Sequence, residues 1–237
     1  MLTSTKSDPS DKPLRQLLNF FVYSNIWVAL PVTCLACTTY WMWDQPADWA
    51  MLAFIYLATL FLYSFHRLRG LRKIPEHEWS DRHRWSAEHI GLQRIIAAVS
   101  GFGAGGLFLS IFLVNQPWLF VYLLAPAAII SIGYALPVLP WRGRWYRLRD
   151  VPRIKILLIA VVVTAITLYL PLSTNWWFSF DFYIGLPYWV AYTIQRVLFL
   201  LAITIPFDVR DLEADARAGL KTMPTVLGAK RAHQTEW

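Results

Sequence analysis

The chain has 237 residues, 57% apolar and only 16% charged, with a formal net charge of +7. A soluble domain is roughly 25% charged, and the apolar residues here fall into blocks too long for a soluble core. A soluble enzyme, a disulfide-stapled secreted domain and a disordered tail are all excluded.

In chain order the blocks are Phe20–Trp41, Trp49–Phe65, Ile95–Val114, Trp118–Leu139, Ile156–Leu172 and Leu186–Phe207. Each runs about 17–22 residues, and about 20 suffice to cross a bilayer as a helix. Arg196 is the one charged residue inside them. The expected fold is all-α, a polytopic membrane helix bundle with six transmembrane helices. Residues 1–16 are expected as a cytoplasmic N-terminal segment and 17–237 as a single transmembrane domain. Its cytoplasmic loops are expected at about 66–94, 140–155 and 208–237.

The basic residues set the orientation. Of the 22 Lys and Arg, all but Arg196 lie before the first block, between the second and third, between the fourth and fifth, or after the sixth. The alternate connections, around Asp44–Asp48, Asn115–Pro117 and Ser173–Gly185, contain none. Cytoplasmic loops carry the Lys/Arg excess, so both termini are expected in the cytoplasm, with a bacterial inner membrane as the default location. Trp41, Trp43, Trp49, Trp118, Trp176 and Trp177 mark the opposite interface as an aromatic belt. Insertion topology accounts for most of the positive charge, and anionic headgroups or a phosphorylated substrate for the rest. Nucleic acid is not an expected partner.

Four local signals have plainer readings than their motifs suggest. Cys34 and Cys37 have dithiol spacing but lie inside the first apolar block. Gly101, Gly103 and Gly106 fit G-x-G-x-x-G, yet no βαβ unit surrounds them, and small residues let membrane helices approach closely. His77, His83 and His89, with Glu76, Glu78 and Glu88, match no zinc pattern and read as a solvated loop. The first block follows basic residues as a signal sequence does, but is too long and lacks a cleavage site.

Arg196 stands 11 residues before Phe207, about 16 Å along a helix and so near mid-bilayer. A charge there faces a bundle interior or cavity; Gln195 and Asn25 are the available polar groups, and Asn25 and Arg196 are assigned to such a cavity.

After the sixth block comes Asp208-x-x-Asp211-x-x-x-Asp215. At about 100° per residue the three carboxylates fall within about 60° of one another on a helix, with Glu213 elsewhere. Like charges on one face repel unless a cation joins them, and Mg²⁺ suits carboxylate oxygens shared with phosphates. A solvated face paired with Arg210 and Arg217 is the alternative for the aspartates alone.

This motif, followed by Gly219-Leu-Lys221-Thr222-Met-Pro224 and Leu227-Gly228, resembles the second aspartate-rich motif of the UbiA family of membrane prenyltransferases. Tyr134-Ala-Leu-Pro137 and the basic stretch through Arg149 to Lys155 are similar to that family's Tyr-and-Lys/Arg segment. The resemblance implies a helical bundle around a cavity open to the cytoplasm. It also implies Mg²⁺-dependent transfer of a prenyl group from an isoprenoid diphosphate to an aromatic or lipophilic acceptor. Asp208, Asp211 and Asp215 would hold the metal; Tyr134, Arg142, Arg144, Arg149, Lys155 and Lys221 would bind diphosphate.

Two departures from the family stand out. Its first acidic motif is missing, since no Asp or Glu occurs between Asp48 and Glu76 and the place reads Tyr63-Ser-Phe-His66-Arg67-Leu-Arg69. There His66, Arg67 and Arg69 either contact diphosphate directly or serve only topology and helix capping. The family's last helices have no counterpart before Trp237, so an exposed apolar groove is expected, filled by lipid, a second copy or another subunit. A catalytically impaired homologue, or a non-enzymatic lipid-binding or transport protein, is the competing reading.

Overall fold

The computed structural model describes residues 11–71, 79–115, 118–141, 144–148, 154–173 and 186–210. The chain divides into two compact units, Met1–Gln116 and Pro117–Trp237.

The first unit holds α1 (Asp11–Tyr23), α2 (Ile26–Met42), α3 (Trp49–Leu71), α4 (Asp81–Glu88) and α5 (Ile90–Asn115). The first apolar block is not one straight helix. It breaks at Ser24–Asn25, where α1 and α2 meet at a 58° bend and Asn25 takes a left-handed conformation, φ 70°. Asn is among the few residues that visit that region readily, which is why the break falls there. α2 ends in a Schellman turn: Asp44 N–H bonds Trp41 O (3.3 Å) and Gln45 N–H bonds Tyr40 O (2.9 Å), with Asp44 left-handed at φ 49°. Asp48 then opens α3, its Oδ1 accepting from Met51 N–H at 3.0 Å.

The buried faces follow helical spacing. Ala29, Ala36 and Tyr40 mark that of α2; Leu60, Ser64, Arg67 and Leu71 continue that of α3; Gln93, Ala97, Ser100, Ala104 and Ile111 mark that of α5. Small residues bring α3 and α5 together: a Cβ on Gly101 would stand 2.9 Å from the Phe61 ring, and one on Gly103 2.8 Å from Leu57. These glycines pack helices, as expected for a membrane span.

The second unit holds α6 (Trp118–Ala135), an antiparallel hairpin of β1 (Pro137–Trp141) and β2 (Arg144–Arg147), α7 (Ile154–Thr164) running into a π turn (Ala165–Tyr169), and α8 (Leu186–Arg210). The hairpin departs from the all-α expectation. Pro137 and Pro140 cannot continue α6, and Gly133 leaves room for Leu148 and Val138, 2.9 and 3.0 Å from where its Cβ would lie. Within this unit α7 packs along α8, with Ile156, Ala160, Thr164 and Thr167 buried on one side and Trp189, Arg196 and Leu200 on the other.

Among the described residues, three helices are long and apolar enough to cross a membrane: α3, α5 and α8, the last over Pro187–Ile205. The bent α1–α2 pair makes a fourth if counted as one span, while α6 and α7 carry shorter apolar stretches, Val121–Tyr134 and Ile156–Tyr169. Trp41, Trp49 and Trp118 are exposed at helix ends remote from the basic connections. The chain is a mainly helical membrane protein.

Candidate functional site

The interior of the first unit changes chemistry along its length. The faces that bury alanine and isoleucine toward the Trp41–Trp49 end bury Asn25, Ser64, Arg67, Ser86 and Gln93 toward the other. The centre of this polar end is the Tyr23 carbonyl. Because α1 stops at Tyr23, that oxygen lacks the donor that an uninterrupted helix would supply four residues on. Arg67 Nη1 donates to it, and Gln93 Nε2 donates to it at 3.0 Å. Asn25 Nδ2 donates to Ser64 Oγ at 3.3 Å, tying the start of α2 to α3. A bare carbonyl in a water-poor interior costs several kcal/mol, so these side chains hold the α1–α2 break in place.

The same cluster has unused capacity. Asn25 Oδ1, Gln93 Oε1, Ser86 Oγ and Arg67 Nε are buried and make no hydrogen bond among the described residues. Arg67 and Arg82 also lie near enough to His83 to add to the effect of burial, and together they hold its imidazole below the ordinary value of 6.5. The His83 ring takes part in the cap of α4: Ser80 N–H points at its Nδ1 (3.3 Å), and Ser80 Oγ is 2.8 Å from the same nitrogen.

The three residues expected to face diphosphate separate here. Arg67 turns inward to Tyr23; Arg69 is exposed, its guanidinium 5.7 Å from the Phe65 ring centre; His66 is half-buried, its ring 6.3 Å from that of Phe65. Asn25 belongs to the Tyr23 cluster in the first unit, whereas Arg196 belongs to the second.

Arg196 is buried on α8 and donates from Nη1 to Thr167 Oγ1 at 3.3 Å. Thr167 lies in the π turn, where Leu170 N–H bonds Ala165 O at 3.0 Å, five residues back. Such turns often mark functional positions in helices. Nearby, the Tyr169 hydroxyl hydrogen-bonds Thr193 Oγ1, and the Tyr169 ring stacks on Trp189, with centroids 5.6 Å apart. Thr164 Oγ1, also buried, has no hydrogen-bond partner among the described residues. Arg196 therefore finds a polar partner on the π turn that follows α7, while Gln195 is exposed.

No family model, curated protein or solved structure matches this chain.

The remaining site residues are placed unevenly. Tyr134 is half-buried near the end of α6. Arg144 opens β2 opposite Trp141, and Lys155 lies in the first turn of α7. Arg142, Arg149, Lys221, Asp211 and Asp215 lie outside the described residues. Asp208 falls in the last turn of α8. Among the described residues no three His, Cys, Asp or Glu side chains are grouped to hold a metal.

Sequence periodicity did not identify Gln93, Ser64 or Thr167 as partners. The available signal was their position on otherwise apolar buried stripes, where a polar side chain needs a partner.

Proposed function

We propose that this chain is an integral-membrane, Mg²⁺-dependent prenyltransferase of the UbiA type, with six spans and both termini in the cytoplasm of a bacterial inner membrane. The observation that carries this reading is the acidic series Asp208, Asp211 and Asp215, which starts in the last turn of α8. No Asp or Glu lies within α8 itself before that turn, so the series begins only as the apolar run of α8 ends.

Bound there, Mg²⁺ would neutralise the charge that develops on a leaving diphosphate. Asp208, Asp211 and Asp215 would supply its oxygen ligands. Arg142, Arg144, Arg149, Lys155 and Lys221 would grip phosphate oxygens, the arginines in bidentate fashion. Cleavage of the allylic C–O bond leaves a cation, an electron-rich carbon of the acceptor attacks it, and the acceptor then loses a proton. The prenyl tail would lie against apolar helix faces.

A second reading, a catalytically impaired homologue, is favoured by Arg67. Its Nη1 is engaged by the Tyr23 carbonyl, which gives this side chain a structural role that needs no substrate. Incubating the purified chain with labelled prenyl diphosphate and lipid extract separates the two. Asp211→Asn or Asp215→Asn should lower turnover on the order of 100-fold or more, with Glu213→Gln doing much less. Diphosphate binding without any wild-type turnover selects the impaired reading. Turnover that survives all three Asp→Asn changes, or excess chelator, removes the metal and its aspartate ligands from the mechanism.

A further inference from the structure

The short helix α4 presents Asp81, Arg84, Trp85 and Glu88 on one face, at the i, i+3, i+4 and i+7 spacing of neighbouring helix positions. That face meets Asn19 and Tyr23 of α1, and the six residues line an open pocket of about 510 Å³. Its aromatic wall is fixed. The Tyr23 and Trp85 rings are 5.7 Å apart, and Trp85 is stacked on His89 with centroids 4.4 Å apart. Among the described residues no ion pair joins Arg84 to Asp81 or Glu88.

The setting of α1 says what solvent the pocket meets. Leu17, Leu18, Phe21 and Val22 are exposed together on one side of α1. At about 100° per residue, Asn19 and Tyr23 fall on the opposite side. A helix that exposes an apolar stripe and turns 58° away from the span that follows it is suited to lie in the membrane interface with that stripe among the acyl chains. Its other face then lines a pocket at the level of the lipid headgroups.

We propose that this α1–α4 pocket holds the aminophosphate headgroup of a zwitterionic bilayer lipid of the phosphoethanolamine class. The charges select it. The ammonium goes to Asp81 and Glu88 against the ring faces of Trp85 and Tyr23, which attract cations. The phosphate goes to Arg84, whose guanidinium matches phosphate oxygens. A purely anionic headgroup meets two carboxylates for one guanidinium; a simple cation leaves Arg84 unused. The inference rests on the chain being in a membrane and is independent of prenyl transfer.

The test uses the full chain reconstituted in vesicles of equal phosphatidylethanolamine and phosphatidylglycerol, extracted gently, with retained lipid counted by native mass spectrometry. Wild type should keep phosphatidylethanolamine in preference. The Asp81→Asn/Glu88→Gln double variant should lose about tenfold of that preference, the scale set by two partly exposed charge contacts. Asp81→Lys/Glu88→Lys should turn the preference toward phosphatidylglycerol. Thermal unfolding of each variant in detergent checks that the fold survives. Equal retention of both lipids by wild type, or a preference unchanged in both double variants, overturns the proposal and leaves this face merely solvated.

Discussion

The clamp on Tyr23 can be measured with a double-mutant cycle. Arg67 and Gln93 both donate to the Tyr23 carbonyl, so removing either leaves the oxygen with one donor and removing both leaves it with none. Arg67→Met loses a hydrogen bond to a charged group, worth about 1.5–3 kcal/mol, and Gln93→Leu a neutral one worth about 0.5–1.5 kcal/mol. The burial of the guanidinium, whose Nε is unbonded, offsets part of the first loss. That offset cancels in the cycle, and what remains is the penalty for orphaning a buried acceptor, about 1–3 kcal/mol beyond the sum of the single changes. The assay is reversible unfolding of the full chain in mixed micelles titrated with a denaturing detergent. Additivity within about 0.5 kcal/mol would refute the shared-acceptor account. The single variant Arg67→Met also separates clamp from substrate grip. A clamp residue alters stability with no substrate present; a diphosphate grip alters the stabilisation that prenyl diphosphate adds.

Other consequences are open to simple measurements. Gly101→Ala should destabilise by about 1–3 kcal/mol, because its Cβ meets the Phe61 ring. Gly103→Ala should cost less, since a Leu57 methyl can swing aside, and Gly106→Ala, with nothing within 4 Å, should be silent; equal losses at all three in a thermal melt would contradict this packing. The His83 imidazole is held below its ordinary value by burial, Arg82 and Arg67, so its stabilisation of α4 is complete above the unfolded-state value of about 6.5. It is lost as pH falls through the lower folded value. Hydrogen exchange of α4 amides should therefore quicken on acidification, and His83→Gln should flatten that response; an unchanged slope in the variant would exclude His83 as its source. Orientation can be read with Cys34 and Cys37, both exposed, first replaced by Ala. Gln45→Cys and Gly91→Cys, at exposed positions, should then label from opposite sides, and labelling of both from one side would overturn the cytoplasmic termini.

Apolar block length and helical spacing were enough to locate α3, α5 and α8 and to assign Gly101 and Gly103 to packing, because both depend on local periodicity. The break in the first block was not legible by length. Asn25 was visible as a polar residue near the start of that block, but its left-handed φ of 70° is what turns a continuous apolar run into two helices that meet at 58°. The hairpin was obscured for a related reason: hydropathy continues through Val138 and Leu139, while Pro137 and Pro140 change the backbone without interrupting the apolar pattern.

The candidate site shows why position in a motif and chemical role can diverge. Arg67 stands where the family resemblance expects an acidic, metal-holding segment, and a cation there reads naturally as a phosphate ligand. Its structural partner is a main-chain carbonyl, which has no sequence signature because every residue carries one. The carbonyl became available only when α1 ended at Tyr23, and Gln93, 70 residues away, shares it. The acidic series Asp208, Asp211 and Asp215 needs no such event to be seen, because its spacing is a property of the local sequence. The two ends of the proposed catalytic reading are thus unequally grounded: the proposed metal ligands are argued from sequence spacing, whereas Arg67, proposed for diphosphate, has a tertiary contact of its own at the Tyr23 carbonyl. If Arg67 were drawn away from the Tyr23 carbonyl, Gln93 alone would be left to satisfy it.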